Sequence, residues 1–319
     1  MPSTVDPGAG RRATGPGSAH RVGPGPPGVG WHVTPERPTP VTGPRRPLLG
    51  LVRACHFQPT VAVVAVTTAL AALAGRGATG CVAVAVAVLA GQLSTGWSND
   101  WFDAARDTAV GRTDKPIVAG TVAVSTVRTA ALVAAAACVP LSLLSGWRAA
   151  VVHLVAVGSA WAYNAGLKST VFSPVPYAVS FGLLPAFVTL GLPTHPWPRP
   201  AVMAATALLG VGAHFVNTLA DRDDDARSGV VGLPQRMSER ADLLVGVVLL
   251  VACALTIWAL GGGAAAGRAV ALLATLGAAA MVVVTTLRQR PRAAWSWTLV
   301  TVIGCVVLFA VARPTLVGT

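Results

Sequence analysis

The sequence predicts an all-α, polytopic membrane protein, with about nine transmembrane helices around a central cavity and a disordered N-terminal tail. Three observations carry that prediction. Apolar residues make up 53% of the 319-residue chain and charged residues only 11%, against about a quarter charged in an ordinary soluble domain. The charges that remain are confined to short stretches between long apolar runs. Those runs recur along the chain at a length that fits a bilayer rather than a soluble core.

In chain order, residues 1–47 are rich in Gly, Pro, Arg and Thr and have no aliphatic run. They cannot bury enough surface to fold and are expected to form a disordered cytoplasmic tail, leaving 48–319 as the transmembrane domain. The Arg11-Arg12 pair is similar to the start of a twin-arginine signal, but no apolar stretch follows it for more than thirty residues. Nine apolar segments come next, near 57–75, 80–98, 120–144, 149–167, 171–192, 201–219, 242–262, 268–287 and 295–312. Each suits a hydrocarbon core of ~30 Å at roughly 20 residues per helix. Pro140 and Pro185 fall inside two of them, which packed membrane helices tolerate. Frequent Gly, Ala and Ser allow close helix contact.

The positive-inside rule sets the orientation. With the tail cytoplasmic, the inner side holds Arg106, Arg112, Lys115, Arg128, Lys168, Arg222, Arg227, Arg236, Arg240, Arg288, Arg290 and Arg292. The outer side keeps Arg76, Arg148, Arg199, Arg268 and Arg313. The expected site is the cell (inner) membrane, with the active loops facing the cytoplasm. All twelve Asp and Glu residues fall on the inner side. Acidic residues do not drive topology, so their clustering points to function. The net charge of +12 is explained by this topology, and without interleaved stacking aromatics no nucleic-acid partner is expected. Cys55, Cys81, Cys138, Cys253 and Cys305 form no CxxC pair, so neither a disulfide framework nor a zinc site is supported.

Two inner helix ends carry the same pattern. Asn99, Asp103, Asp107 and Gly111 repeat the spacing of Asn217, Asp221, Asp225 and Gly229, 118 residues further on. Steps of four keep Asn, Asp and Asp on one helical face. Two such faces at one membrane depth gather at least four carboxylates, which repel unless cations sit among them. Hard oxygen ligands of this kind select Mg2+, which takes one or two carboxylates together with substrate phosphate oxygens. A magnesium-bridged diphosphate is the expected ligand. Arg112, Lys115, Lys168 and Arg222 lie close enough in sequence to supply the remaining counter-charge.

These residues resemble the UbiA superfamily of intramembrane prenyltransferases, over roughly 48–312. Asn99 to Asp107 reads NDxxDxxxD, like the family's first motif, with Asp100 as its second residue. It continues through Arg112, Lys115, Pro116 and Gly120 like the family's R-x-x-[RK]-P…G. Asp221 to Asp225 resembles the second, DxxxD-type motif. Tyr163 and Lys168 look like the Tyr and Lys placed near the diphosphate, and Arg53 sits where the family often has an arginine. The resemblance implies ionisation of an allylic isoprenyl diphosphate and transfer of the isoprenyl group to an acceptor. It implies a catalytic set of Asp100, Asp103, Asp107, Asp221 and Asp225, with Asp103, Asp107, Asp221 and Asp225 holding Mg2+. Asn99, Asn217, Arg112, Lys115, Tyr163, Lys168, Arg222 and Arg53 would bind the substrate.

The acceptor is less constrained. His214-Phe215 with Arg222-Asp223-Asp224-Asp225 resembles the heme O synthase branch, whereas Asp100 is closer to the quinone branch. His214 shares a helical face with Asn217 and Asp221, and an ionisable residue in a membrane helix is a functional candidate. It is expected to orient the acceptor or take its proton, or else to be a hydrogen-bonded core histidine. His153 has no matching constellation and is read as packing. Trp97, Trp101, Phe102, Trp161, Tyr163, Tyr177, Phe181 and Phe215 offer π-faces for a carbocation. Two other functions stay open: a membrane terpene cyclase using the same cage without an acceptor, and a metal-binding transporter or channel. The second would put charges near the bilayer midplane, whereas here they sit at helix ends. The D-G-x-x-A-R signature of CDP-alcohol phosphotransferases is absent.

Overall fold

The computed structural model describes residues 47–312, 316 and 317. Apart from Pro47, the expected tail lies outside the described residues. Among the described residues there are eleven α-helices and no strand beyond one isolated bridge, Pro198 to Val317. They are α1 (Pro47–Ala54), α2 (Phe57–Leu73), α3 (Gly77–Ala109), α4 (Val124–Leu143), α5 (Trp147–Ala165), α6 (Pro174–Gly182), α7 (Leu184–Thr189), α8 (Pro200–Ser228), α9 (Glu239–Leu260), α10 (Ala265–Leu287) and α11 (Pro291–Ala312).

Each of the nine apolar segments forms helix, but they are not nine equivalent spans. Six helices (α3, α4, α8, α9, α10 and α11) are long and apolar enough to cross a membrane. The α1–α2 pair, bent by 61°, makes seven when taken as one broken span. α5 has 19 residues and carries Arg148 and His153, which lower its apolar character. The segment 171–192 breaks at Leu183 into α6 and α7. Pro185, expected inside a helix, instead stands in the first turn of α7, where its missing N–H is not needed. Pro140 does lie within α4.

α3 packs along α4, α8 along α9, and α10 along α11. Phe187, Leu250, Leu308 and Val282 are fully buried between helices. Val133, Leu244, Val270 and Leu273 point outward, as side chains facing lipid tails do. The two longest helices are α3, with 33 residues, and α8, with 29. At 1.5 Å per residue they measure about 50 and 44 Å, well beyond a hydrocarbon core of ~30 Å. Their surplus C-terminal turns carry the two Asn/Asp runs.

Both runs stop in the same way. Gly111 and Gly229 adopt left-handed φ of 72° and 73°, a conformation that costs glycine nothing. The N–H of Gly111 bonds Thr108 O and that of Arg112 bonds Asp107 O. Gly229 and Val230 repeat the pattern onto Ala226 O and Asp225 O. Each is the paired 5→2 and 6→1 closure of a Schellman stop. The repeat seen in the residue spacing is therefore also a repeat of backbone geometry.

Candidate active site

The first wall of the site depends on a close backbone approach. A Cβ on Gly96 would stand 2.6 Å from the carbonyl oxygen of Cys55, so only glycine lets the α1–α2 bend rest on α3. Trp97 Nε1 donates to Leu51 O at 2.9 Å and fixes the contact. The bend places His56 Nε2 3.3 Å from Asp100 Oδ1.

Below this bend a cavity of about 570 Å³ opens between α1, α2, α3, α5, α6 and α8. Asn99, Asp100, Asp103 and Asp107 line it from α3; Asn217, Asp221 and Asp225 line it from α8. Arg53, Arg112, Lys115, Tyr163 and Lys168 also border it. An ion pair of 3.3 Å between Arg112 and Asp224 joins the loop after α3 to the second cluster. The two runs thus meet across one space.

Their charges are balanced unequally. Asp100, almost fully buried, pairs with Lys115 Nζ at 2.8 Å as well as with His56. Asp103 accepts from Lys168 Nζ with both oxygens at 2.5 Å, and from Arg106. Burial pushes the Lys168 ammonium below the usual lysine range although Asp103 opposes this. The carboxylates of Asp107 and Asp221, in contrast, make no hydrogen bond or ion pair among the described residues. Among the described residues the Asp225 carboxylate accepts only from Gln235 Nε2, at 2.7 Å. Burial raises Asp221. It also raises Asp225, to about 6, with the nearby Asp221 adding to the effect and Gln235 opposing it.

Three carboxylates in a shared cavity without a protein cation of their own fit a hard divalent metal. No three His, Cys, Asp or Glu side chains close to metal-binding distance among the described residues. That openness suits Mg2+, which uses few protein ligands and completes its shell with water and phosphate oxygens.

Two residues expected at the site stand away from it. Arg222 turns from the cavity to Asp242 Oδ2 at 3.3 Å and to the carbonyls of Pro234, Gln235 and Met237. Asp242 is fully buried, and it draws the guanidinium into the α8–α9 junction. His214 is 1% exposed and lies behind the tyrosines: its ring stacks on Tyr177 at 4.5 Å and meets Tyr163 edge-on. Its Nε2 lies 3.2 Å from Ser173 Oγ. Of the eight aromatics, Tyr163, Tyr177 and Phe181 reach the cavity. Trp101, Phe102 and Trp161 form a separate cluster with Arg128 over Trp101, and Trp97 and Phe215 lie off the lining.

The structure adds His56, Asn164 and Gln235 to the site. Asn164 is buried; its amide donates to Thr95 O and Ser98 Oγ and its carbonyl accepts from Asn99 Nδ2 at 3.2 Å. A lone Asn in an apolar helix was the available signal. His56 sits in a helix break and Gln235 in a single 3-10 turn, Pro234–Arg236, neither with any pattern in its neighbourhood.

An all-helical membrane protein with two facing Asn/Asp runs and a lysine-lined cavity at their ends defines a class: an intramembrane enzyme acting on an anionic lipid-like substrate. A model of the UbiA prenyltransferase family matches residues 60–311, and the chain belongs to that family. It is a membrane prenyltransferase. Among solved structures, the fold is similar to a UbiA homologue from Aeropyrum pernix K1 in its apo form, at 18% identity over 78% of this chain and 95% of that one, with a TM-score of 0.62. It is similar also to an Archaeoglobus fulgidus UbiA homologue bound to DMAPP and Mg2+, at 13% identity, 82% and 99% coverage and a TM-score of 0.60. A digeranylgeranylglyceryl phosphate synthase aligns at 15% identity, 83% and 98% coverage and a TM-score of 0.56. No curated protein matches the sequence.

Proposed function

We propose that the protein holds an allylic isoprenyl diphosphate through Mg2+ and transfers its isoprenyl group to an aromatic acceptor of the quinone-precursor type, from the cytoplasmic side of the membrane. The observation that carries this reading is the meeting of the Asn99–Asp107 and Asn217–Asp225 runs across one cavity. The Mg2+ and DMAPP bound by the Archaeoglobus homologue support it.

Asp107, Asp221 and Asp225 offer oxygens uncommitted to any protein cation, and Asp103 faces the same space. When bound, Mg2+ neutralises charge on the departing diphosphate. Lys168, Lys115, Arg112 and Arg53 add positive charge from the protein, fixed before reaction and partly withdrawn from water. Asn99, held by Asn164, and Asn217 present amides at the upper edge of the carboxylate zone. Above it, Tyr163 and Tyr177 meet edge-to-face at 5.2 Å, and Phe181 continues the wall. Their π-faces favour an allylic cation, and the apolar surroundings keep water from it. His214, off the cavity behind these rings, braces the tyrosines rather than taking a proton from the acceptor.

The test incubates purified protein with Mg2+ and geranyl, farnesyl or geranylgeranyl diphosphate, with and without phenolic and naphthoate acceptors. Acceptor-dependent diphosphate release with a prenylated aromatic product is expected. Terpene hydrocarbon or alcohol formed from the diphosphate alone would make the protein a cyclase; no release under any condition would overturn the reading.

A further inference from the structure

The length of the donor's tail is written along α3, given the prenyl-donor reading above. Gln92, Thr95, Asn99 and Asp103 all face the main cavity, so a single helical face runs from the carboxylates into the apolar layer. From Asn99, at the upper edge of the charged zone, to Gln92 is two helical turns, about 10 Å. An extended geranyl tail spans that distance.

Past Gln92 the wall stays mostly apolar, through Val88, Val157 and Leu184, and one imidazole, that of His153, interrupts it. A second cavity of about 40 Å³ adjoins the first and shares Gln92, Thr95, Ser180 and Phe181 with it. His153 forms part of its wall. This histidine is 3% exposed and its ring stacks on Phe187 at 4.4 Å. Nδ1 lies 2.8 Å from Ser142 Oγ, whose hydroxyl already donates to Cys138 O at 2.6 Å. A hydroxyl has one hydrogen to give. Nδ1 must therefore be the donor to Ser142, and in the neutral imidazole Nε2 is left as a bare acceptor.

That Nε2 has no hydrogen-bond partner among the described residues. It faces α3, 3.4 Å from where a Cβ on Gly91 would stand. Gln92 also makes no hydrogen bond there. The space between them is large enough for a water molecule. A hydrocarbon chain pushed into it would leave a buried acceptor and a half-buried amide dry, which is unfavourable.

We propose that His153 and Gln92 form a polar stop at the deep end of the cavity, which accepts a geranyl-length donor and rejects longer prenyl chains. Hydrocarbon packs well as far as Phe181 and Thr95; beyond them it meets groups that prefer a hydroxyl or water. Ser142 keeps its bond to Cys138 without the imidazole, so His153→Leu removes the stop and leaves no new unpaired donor on α4.

The experiment measures Mg2+-dependent binding of the non-hydrolysable geranyl, farnesyl and geranylgeranyl thiolodiphosphates to the full chain in detergent, alongside initial rates with the matching diphosphates. The native protein is expected to bind the geranyl analogue at least about tenfold more tightly than the geranylgeranyl one, a discrimination of the size apolar pockets achieve. His153→Leu should move the farnesyl-to-geranyl ratio upward by about tenfold. Gln92→Leu should move it in the same direction, and it stands in as the second variant if His153→Leu does not fold. His153→Gln, which keeps a polar group there, should leave the ratio near the native value. Equal affinity for all three analogues overturns the stop, as does an unmoved ratio in folded leucine variants. If no analogue binds at all with Mg2+, the donor reading falls and the stop falls with it.

Discussion

The two Asn/Asp runs share their spacing, their place at a helix C-terminus and their glycine stop, yet their electrostatics differ. On α3, Asp100 and Asp103 are ion-paired with Lys115, Lys168 and Arg106, and His56 lies at hydrogen-bond distance from Asp100. On α8, among the described residues, the Asp221 carboxylate has no such partner and that of Asp225 has only an amide. The first run pairs two of its three carboxylates and leaves Asp107 open, whereas the second leaves both Asp221 and Asp225, the matching positions, without a paired cation among the described residues. Repetition of a motif thus gives a repeated scaffold with unequal charge balance: the α3 arm is mostly held by the protein's own cations, and the α8 arm offers more carboxylate to an external one.

The sharpest break in this comparison comes from removing one aspartate from each run. Asp221→Ala and Asp103→Ala are both expected to lower the rate of diphosphate release by a factor of about a thousand, the scale of losing a preorganised electrostatic group. Their stabilities should diverge. Asp103→Ala strands the buried Lys168 and is expected to cost about 3 kcal/mol. Asp221→Ala removes a half-buried carboxylate that repels its neighbour, so the metal-free variant should be at least as stable as the native protein. Thermal unfolding in detergent without Mg2+, beside a release assay, checks both. Equal destabilisation by the two variants would end the distinction between the runs.

How much of this contrast was legible beforehand depends on the distance over which each feature is written. The helices, the paired runs and their common depth follow from local periodicity, and Gly111 and Gly229 follow from the same register. The partners do not. Arg222 lies within the second run in sequence, but the fully buried Asp242 on the next helix captures it. His214 keeps the helical face read from its spacing, yet Tyr163 and Tyr177, from α5 and α6, stand between it and the cavity. His56 gains its role only because Gly96 lets a bent helix pair settle on α3. Such outcomes turn on which chain segment arrives on the far side, and no window of sequence contains that information.

Arg222 itself sharpens the comparison next. Arg222→Ala is expected to destabilise the protein by about 3 kcal/mol, because it leaves Asp242 buried without its counter-charge. Arg222→Ala combined with Asp242→Leu should recover most of that loss, since replacing both members of a buried pair by apolar groups is close to neutral. Had Arg222 bound the substrate directly, the double variant would regain no activity along with its stability. Urea unfolding and substrate KM measured on the same samples separate the two cases.

Mg2+ itself should stabilise the native fold, by about 2.7 kcal/mol at a hundred times its dissociation constant. An Asp221→Asn variant is expected to lose most of that shift while keeping its metal-free stability. An equal Mg2+ shift in both proteins would mean that the ion binds elsewhere.

The smallest effect probes how the α8 arm is aimed. Among the described residues Gln235 is the only side chain bonded to the Asp225 carboxylate, and its segment is itself tied down by Arg222, whose N–H groups donate to the carbonyls of Pro234, Gln235 and Met237. Residues that orient a metal ligand usually contribute about tenfold to metal affinity. Gln235→Ala is therefore expected to raise the Mg2+ concentration for half-maximal release by about tenfold, with kcat at saturating Mg2+ nearly unchanged. Gln235→Asn, which keeps the amide on a shorter stem, should recover part of the loss. A fall in kcat with unaltered Mg2+ dependence would instead place Gln235 in the general packing of the loop, and Asp225 would then hold its orientation through its own helix.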